Sequence, residues 1–460
     1  MHRRIRTDIC VAGGGSGGFG AALAASRMGG KVLLFESEDL LGGTSTVSGV
    51  NCWEPVAGAA YGAPRELYER MKKIPGGCGI YTPRLHRSLG EEGCRDFPGG
   101  LSCIDPALTY EDTLKKGFDY RRISDLSKWN GIIFEPRIWD KCAREMLEEN
   151  HVAVLTGRRA VEVEFTDEHI RSVTLDDGTQ IEAKIWIDNS SFLAASSRCR
   201  LLYGSEPFSL FREPDAPETP EASRLNGVTL LFRAARKDSP GVDALPEALE
   251  DREKRQDMVA VQYPCGDLYC NMLPTLRGEE YLSLGENAAR KVCEERVLVF
   301  WHTVQKEYEF LRHYSLKSFA PKLGIRESFR TVCRKMLTEN EVLGGLEEQE
   351  QGDCVAISDH QLDRHGAKGP ARPVRPYGIP CGALLPEGKD NLLVAGRIGG
   401  FSSLASSSCR LSRTMIRLGE AAGFAAFLAL RDHCPLEKVD MRKLQALMKF
   451  EEEKASIRQK

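Results

Sequence analysis

The residues best equipped for chemistry stand near the start of the chain. Gly13-Gly14-Gly15-Ser16-Gly17-Gly18 is a G-x-G-x-x-G run between an apolar stretch, Asp8 to Ala12, and a helix-forming one, Ala21 to Met28. In such a run the first glycine permits a tight turn. The second lets backbone amides approach a pyrophosphate, and the third lets the helix pack on the sheet. The helix N-terminus then offers free N–H groups and a partial positive charge to that anion. Glu36 follows about twenty residues on, where a carboxylate accepts from both ribose hydroxyls and disfavours a 2′-phosphate. A glycine-rich loop alone would be a weak signal. Strand, helix, strand and acid in register make it a dinucleotide site.

The choice between FAD and NAD turns on what comes next. Leu40-Leu41-Gly42-Gly43-Thr44-Ser45 places a glycine pair six residues past the acid, where the chain must pass close to a ribityl-pyrophosphate arm. Far downstream, Asn391 to Ala395 reads as a buried strand ending at Gly396-Arg397, a second approach to the same arm. A simple NAD dehydrogenase would not need this C-terminal return. No further G-x-G-x-x-G occurs between residues 60 and 390, so no separate NAD(P)H domain is expected.

These residues need a parallel sheet to position them. Asp8 to Ala12 and Lys31 to Glu36 read as strands around a helix that Gly29-Gly30 stops. After a loose stretch from Gly58 to Asn130, with a helix at Pro64 to Lys73, regular structure returns. Phe134-Glu135-Pro136 should be followed by a helix to Glu149, and Val152 to Thr156 should be a strand. Ala160 to Phe165 and Ile170 to Leu175 form a hairpin, and Ile181 to Ile187 another strand. Proline-rich sequence from Pro207 to Pro220 opens a second excursion, with helices expected at Ala244 to Asp257 and Glu286 to Leu311. A long amphipathic helix should run to about Leu430, and the tail from Glu451 should be a solvated helix end.

With 460 residues the chain suggests two or three folding units. A net charge of −3 gives no reason to expect nucleic acid or an anionic membrane as partner. The apolar run after the basic start spans only Ile9 to Ala12, too short for a signal peptide. The stretch Met415 to Leu430 carries Arg417 and Glu420 and is no membrane span. A cytoplasmic location follows. Fifteen cysteines without a C-x-x-C pair argue for reduced thiols and against a zinc site. No metal site is expected.

The sequence resembles the bacterial FAD-dependent oxidoreductases of the glutathione-reductase-like flavoprotein superfamily. Asp8 to Gly15 followed by Leu41-Gly42-Gly43-Thr44 looks like the N-terminal signature of that family. Val50-Asn51-Cys52-Trp53 fits its V-N-x-W, and Phe134-Glu135-Pro136 its F-E-P. Gly324-Ile325-Arg326-Glu327-Ser328-Phe329-Arg330 is similar to G-I-R-E-T-R-R, and Leu362-Asp363-Arg364-His365 to I-D-x-H. Tyr377-Gly378-Ile379-Pro380 and Asn391 to Arg397 complete the series in matching order. Only insertions near 75–130 and 205–320 are unmatched. One segment departs: the family has D-A-T-G-D where this chain has Asp188-Asn189-Ser190-Ser191-Phe192.

The resemblance implies an α/β fold, a Rossmann-like FAD-binding domain with an inserted substrate or cap domain. Residues 1–60, 131–205 and 355–435 would form the discontinuous FAD domain. Residues 61–130 and 206–354 would form the cap, and 436–460 a C-terminal helical tail. Non-covalent FAD would contact Gly13, Gly15, Ser16, Gly17, Gly18, Glu36, Ser37, Gly42, Gly43, Thr44, Ser45, Ala160, Asn189, Ser190, Gly396, Arg397, Ser408 and Cys409.

Catalytic candidates follow from the same segments. His365 would lie near the flavin, where an imidazole of unperturbed pKa about 6.5 suits either base or acid near neutral pH; a structural hydrogen-bonded role is the alternative. His360 has no matching motif and is expected to be structural. Arg326 would hold a substrate carboxylate or stabilise an enolate, and Arg330 is expected to pair with Glu327. The segment Ser406 to Arg410 would open the last long helix, its amides and Arg410 facing the flavin's pyrimidine edge. Cys52 stands alone where disulfide reductases have two cysteines.

Together these point to an enzyme that exchanges a hydride between FAD and a small organic substrate at a CH–OH or CH–CH group. An external electron donor or acceptor would complete the cycle. Two alternatives stay open: a thiol-disulfide oxidoreductase using Cys52, and a flavoprotein whose FAD is structural or sensory.

Overall fold

In the computed structural model, residues 3–82, 101–115, 129–220, 225–250, 257–365 and 372–458 are described. Five strands run parallel in the order Ala153–Leu155, Val32–Phe35, Arg4–Ala12, Gln180–Asp188 and Leu392–Val394. The apolar residues of Val32–Phe35 and Leu392–Val394, and most of those in Arg4–Ala12 and Gln180–Asp188, are buried, as expected for strands covered on both faces. The hairpin Ala160–Phe165 and Ile170–Leu175 joins the sheet antiparallel to Gln180–Asp188. The C-terminal ends of the central strands, Ala12, Phe35, Asp188 and Val394, therefore share one edge, where open α/β sheets bind their ligands. The Rossmann-like domain is present.

The first helix, Ser16–Arg27, packs along the helix Ser412–Arg431. The two backbones approach so closely that a Cβ at Gly419 would come within 1.9 Å of the Gly17 carbonyl, and one at Gly423 within 2.2 Å of that of Ala21. The C-terminal segment thus clamps the phosphate-loop helix from behind.

A second sheet of eight strands carries the cap, from Tyr314–Phe319 at one edge to Cys52–Trp53 at the other. Helix Gly278–Glu307 covers it with Ala289, Cys293, Val297 and Trp301. Residues 52–53 and 131–134, expected in the FAD domain, hydrogen-bond into this sheet instead: Gly131–Phe134 pairs with Cys78–Thr82. The two sheets are joined through these strands.

Three expectations need correction. No helix occupies the described residues 244–250; 251–256 lie outside the described residues, and Asp257–Gln262 is a strand paired on both sides. The expected helix at Glu286 begins at Gly278, with non-helical backbone at Gly285. The C-terminus is not a solvated tail. Helices Met441–Met448 and Phe450–Arg458 bury Leu444, Met448 and Phe450, and the carboxylate of Glu453 accepts the Ala60 amide at 2.6 Å. The charged residues from Glu451 onward suggested solvent because their buried partners lie elsewhere in the chain.

Candidate active site

A cleft of about 560 Å³ opens at the shared strand edge. Gly13, Gly15, Ser16, Gly17, Glu36, Ser37, Gly43, Thr44, Ala160, Asn189, Ser190, Gly396 and Arg397 all line it, as does Arg410. The helix behind it has no cap from its own N-cap side chain and no acid in its first turn; Asn189 takes the Gly18 amide, which leaves the amides of Ser16 and Gly17 for an anion. A Cβ at Gly15 would meet only the Asn189 side chain, leaving that wall open. Gly13, at φ 93°, makes the turn. These features fit a dinucleotide's pyrophosphate.

Glu36 does more than await a ribose. Its Oε2 accepts the Gly14 amide at 2.6 Å, and its Oε1 accepts the Ser37 hydroxyl at 3.0 Å and the Glu38 amide at 2.9 Å. The carboxylate holds the phosphate loop to the second strand while still lining the cleft.

The divergent segment also has a structural account. Asp188 is buried and accepts from the amides of Ser190 and Ala194, both at 2.8 Å, which folds the turn. Burial raises its carboxyl above the ordinary range, against those bonds. Ser191 sits at φ 71°, the left-handed conformation that the family's glycine adopts freely. Asn189 bridges the two halves of the cofactor floor. Its Oδ1 accepts the Gly18 amide at 2.9 Å and its Nδ2 donates to the Ala395 carbonyl at 2.8 Å.

Five expected cofactor contacts do not line the cleft. Gly18 is structural: a Cβ there would lie 1.8 Å from the Gly13 carbonyl. Gly42 donates its amide to the Gly14 carbonyl at 2.8 Å, and Ser45 is buried against Ser412 with the hydroxyls 2.9 Å apart. Ser408 and Cys409 are buried inside a short helix, Ser403–Cys409, where the Ser408 hydroxyl meets Tyr377 and the His360 carbonyl. The last long helix starts instead at Ser412, and Ser412 and Met415 line the cleft. The serine run looked like a helix start because serines cap helices. The actual cap is Ser402, four residues earlier than Ser406.

Beyond the cleft lies a chamber of about 290 Å³. Thr44, Ile325, Arg397, Arg410 and Ser412 line both spaces and mark the junction. The cap sheet supplies one wall through Cys52, Tyr81, Val259 and Tyr269, and the segment 360–365 supplies the other.

All three catalytic candidates, His365, Arg326 and Arg410, line this chamber. His365 Nε2 lies 2.8 Å from Asp363 Oδ2. Burial and the charge of Arg326 push the imidazole down to about 4, more than Asp363 raises it. Burial works against ionisation of Asp363, but the His365 hydrogen bond and the charges of His365 and Arg410 hold its carboxyl well below the usual carboxylate range. At neutral pH the pair is therefore a carboxylate accepting from the Nε2–H of a neutral imidazole, with Nδ1 left as a base. The expectation that His365 serves equally as acid or base is corrected: the substrate-free site favours the base.

Arg330 is buried and bonded to Glu327 and Glu206, the structural role expected of it. Arg326 takes no part in that pair. Burial, then repulsion from Arg410, lowers it to about 9. Burial and Arg410 likewise bring Arg397 down to about 10.

His360, expected to be structural, also lines the chamber, with Nε2 3.3 Å from Glu54 Oε2. Burial alone would raise Glu54, but the His360 bond and charge hold it below the ordinary value. Glu54, Tyr81 and His360 were not identified as site residues. Nothing in the spacing marks Tyr81, whereas His360 and Glu54 flank the motifs at Asp363 and Cys52. Six buried polar atoms around the chamber make no hydrogen bond within the protein: Trp53 Nε1, Trp129 Nε1, Asn271 Oδ1, His360 Nδ1, Arg410 Nε and Arg413 Nε.

Cys52 donates to the Tyr81 hydroxyl at 3.0 Å. Burial pushes its thiol well above the ordinary value, which that bond only partly offsets. It is a protonated thiol, and all fourteen described cysteines are free. Among the described residues, no helix is long and apolar enough to cross a membrane.

The model of the family described as FAD dependent oxidoreductase matches residues 8–448. Among curated protein sequences none matches. Solved structures that are similar include a geranylgeranyl bacteriochlorophyll reductase-like protein from Thermoplasma acidophilum, at 10% identity over 99% of this chain and 86% of that one, with a TM-score of 0.42. The myxobacterial chondrochloren halogenase CndH is 12% identical over 96% and 78%, with a TM-score of 0.43. The p-nitrophenol 4-monooxygenase PnpA from Pseudomonas putida is 10% identical over 100% and 90%, with a TM-score of 0.40. The chain belongs to the FAD-dependent oxidoreductase family, and its cofactor is FAD.

Proposed function

We propose, on the premise of this family membership, that the protein oxidises a small organic molecule in the chamber by hydride transfer to FAD, at a CH–OH or CH–CH group. The observation that carries the reading is the juxtaposition of two spaces at Thr44, Arg397, Arg410 and Ser412: a dinucleotide cleft and a chamber lined by the paired His365 and Asp363.

FAD supplies the two-electron chemistry when bound. The turn at Gly13, Gly15, Ser16 and Gly17 would hold its pyrophosphate, and Glu36 and Ser37 its ribose. Gly43, Thr44, Ala160, Asn189, Ser190, Gly396 and Arg397 would line the rest of its path. In the chamber, the neutral imidazole of His365 would take the hydroxyl proton of an alcohol at Nδ1 as the carbon-bound hydrogen leaves with its electron pair. Asp363 would hold the ring by its Nε2–H and stabilise the imidazolium that forms, the part a carboxylate plays beside a general base. Arg410, at the junction, would stabilise negative charge developing nearby. A small molecule or protein of suitable potential would take the electrons on from FAD.

The reading is set against thiol chemistry by Cys52→Ser. A half-buried, protonated thiol without a partner cysteine among the described residues does not shuttle two electrons, so the variant should keep most of its single-turnover flavin reduction. Complete loss with FAD still bound would overturn the proposal in favour of a thiol route.

A further inference from the structure

We propose that the substrate carries a carboxylate, bound on the Nε–Nη2 edge of Arg326; the proposal rests on the chamber being the substrate site. Arg326 is held from one side only. Its Nη1 donates to the Gly227 carbonyl at 2.8 Å and to Thr229 Oγ1 at 2.7 Å, which fixes the plane of the guanidinium. Among the described residues, its Nε and Nη2 find no hydrogen-bond partner, and the residue lines the chamber. That edge presents two parallel N–H groups, the geometry that matches the two oxygens of one carboxylate.

The charge balance requires such a partner. Among the described residues, four guanidinium groups line the chamber, those of Arg326, Arg397, Arg410 and Arg413, and only two carboxylates do. Both carboxylates are engaged, Asp363 by His365 and Arg410, and Glu54 by His360. Among the described residues, no carboxylate lies within ion-pair distance of Arg326, a costly position for a part-buried cation. The neighbouring walls include Val50, Leu231, Val259 and Leu273, which suit an organic body more than a bare phosphate.

The proton chemistry gains from this arrangement. After burial, the charge of Arg326 is the largest influence holding His365 down. A carboxylate on Arg326 would cancel that charge and make His365 a stronger base when substrate is present.

The test is binding to the resting, oxidised holoprotein, read by calorimetry and by perturbation of the flavin absorbance band. Lactate, propionate, malonate and succinate are compared with lactamide, propionamide, malonamide, succinamide and inorganic phosphate. At least one acid should bind at least about tenfold more tightly than its amide, the contribution of a charge-assisted hydrogen bond. Arg326→Met should abolish that preference at unchanged FAD content, and Arg326→Lys should restore part of it. Equal binding of acid and amide, binding of phosphate without any acid, no binding by any acid, or an undiminished preference in Arg326→Met would each overturn the proposal. If Arg326→Met does not fold, the wild-type comparison still decides. Acid binding without any flavin reduction would remove the hydride-transfer reading and leave the carboxylate site standing. Reduction by neutral alcohols with no preference for acids would do the reverse.

Discussion

His365→Ala is expected to retain FAD and to reduce it at least about a hundredfold more slowly than the wild type with the same substrate, because a positioned base typically contributes about 10²–10⁴-fold. The geometry supports a direct role. The ring lines the chamber, Asp363 fixes its Nε2 at 2.8 Å, and Nδ1 is left as the acceptor. The pH profile gives a second, independent mark. A base acts only while unprotonated, and burial with the Arg326 charge holds this one down to about 4. The second-order rate of reduction at limiting substrate, which reports the substrate-free enzyme, should therefore stay level as the pH falls from neutrality and lose rate only as it passes about 4. An unperturbed histidine would lose it near about 6.5. Stopped-flow reduction across that range reads both effects. A wild-type rate in the variant would make His365 structural and leave Arg326 and Arg410 as the leading candidates.

Gly15→Val is expected to leave a folded protein nearly free of FAD, with affinity lowered at least about a hundredfold if two charge-assisted contacts of about 1.5–3 kcal/mol each are lost. The backbone of Gly15, at φ −64°, accepts valine without strain. The new side chain would stand on the cleft wall against Asn189, where the pyrophosphate must come close. Gly18 is the useful contrast, because its missing Cβ protects the turn itself. Flavin released by heat, measured against protein, reads the content, and thermal unfolding of the apoprotein reports that the fold survives. Wild-type FAD content in Gly15→Val would remove the cofactor from this loop.

Local patterns made the nucleotide half of the molecule legible. The glycine run, Glu36 and the returning strand at Asn391 each belong to a short segment whose periodicity reports its own structure. The cap was harder to read. Its sheet gathers Cys52, Tyr81, Gly131 and Asp257 from four distant parts of the chain, and pairing between distant strands leaves no local signature. The same holds for the electrostatics. His365 was visible as a motif residue, but its displacement to about 4 comes from Arg326, nearly forty positions away. Ser408 and Cys409 failed for a nearer reason. A short helix, Ser403–Cys409, and the long one from Ser412 meet around Arg410, and composition does not say which of several serines is the cap.

The most direct test of the central claim, that the chamber beside the cleft brings substrate to FAD, is an anaerobic screen of small alcohols and carboxylic acids against the holoprotein, followed at the flavin absorbance band. At least one compound should bleach the band in the wild type and do so far more slowly in His365→Ala. A flavin that no alcohol or acid reduces, while dithiols reduce it readily and Cys52→Ser blocks that reduction, would contradict the account.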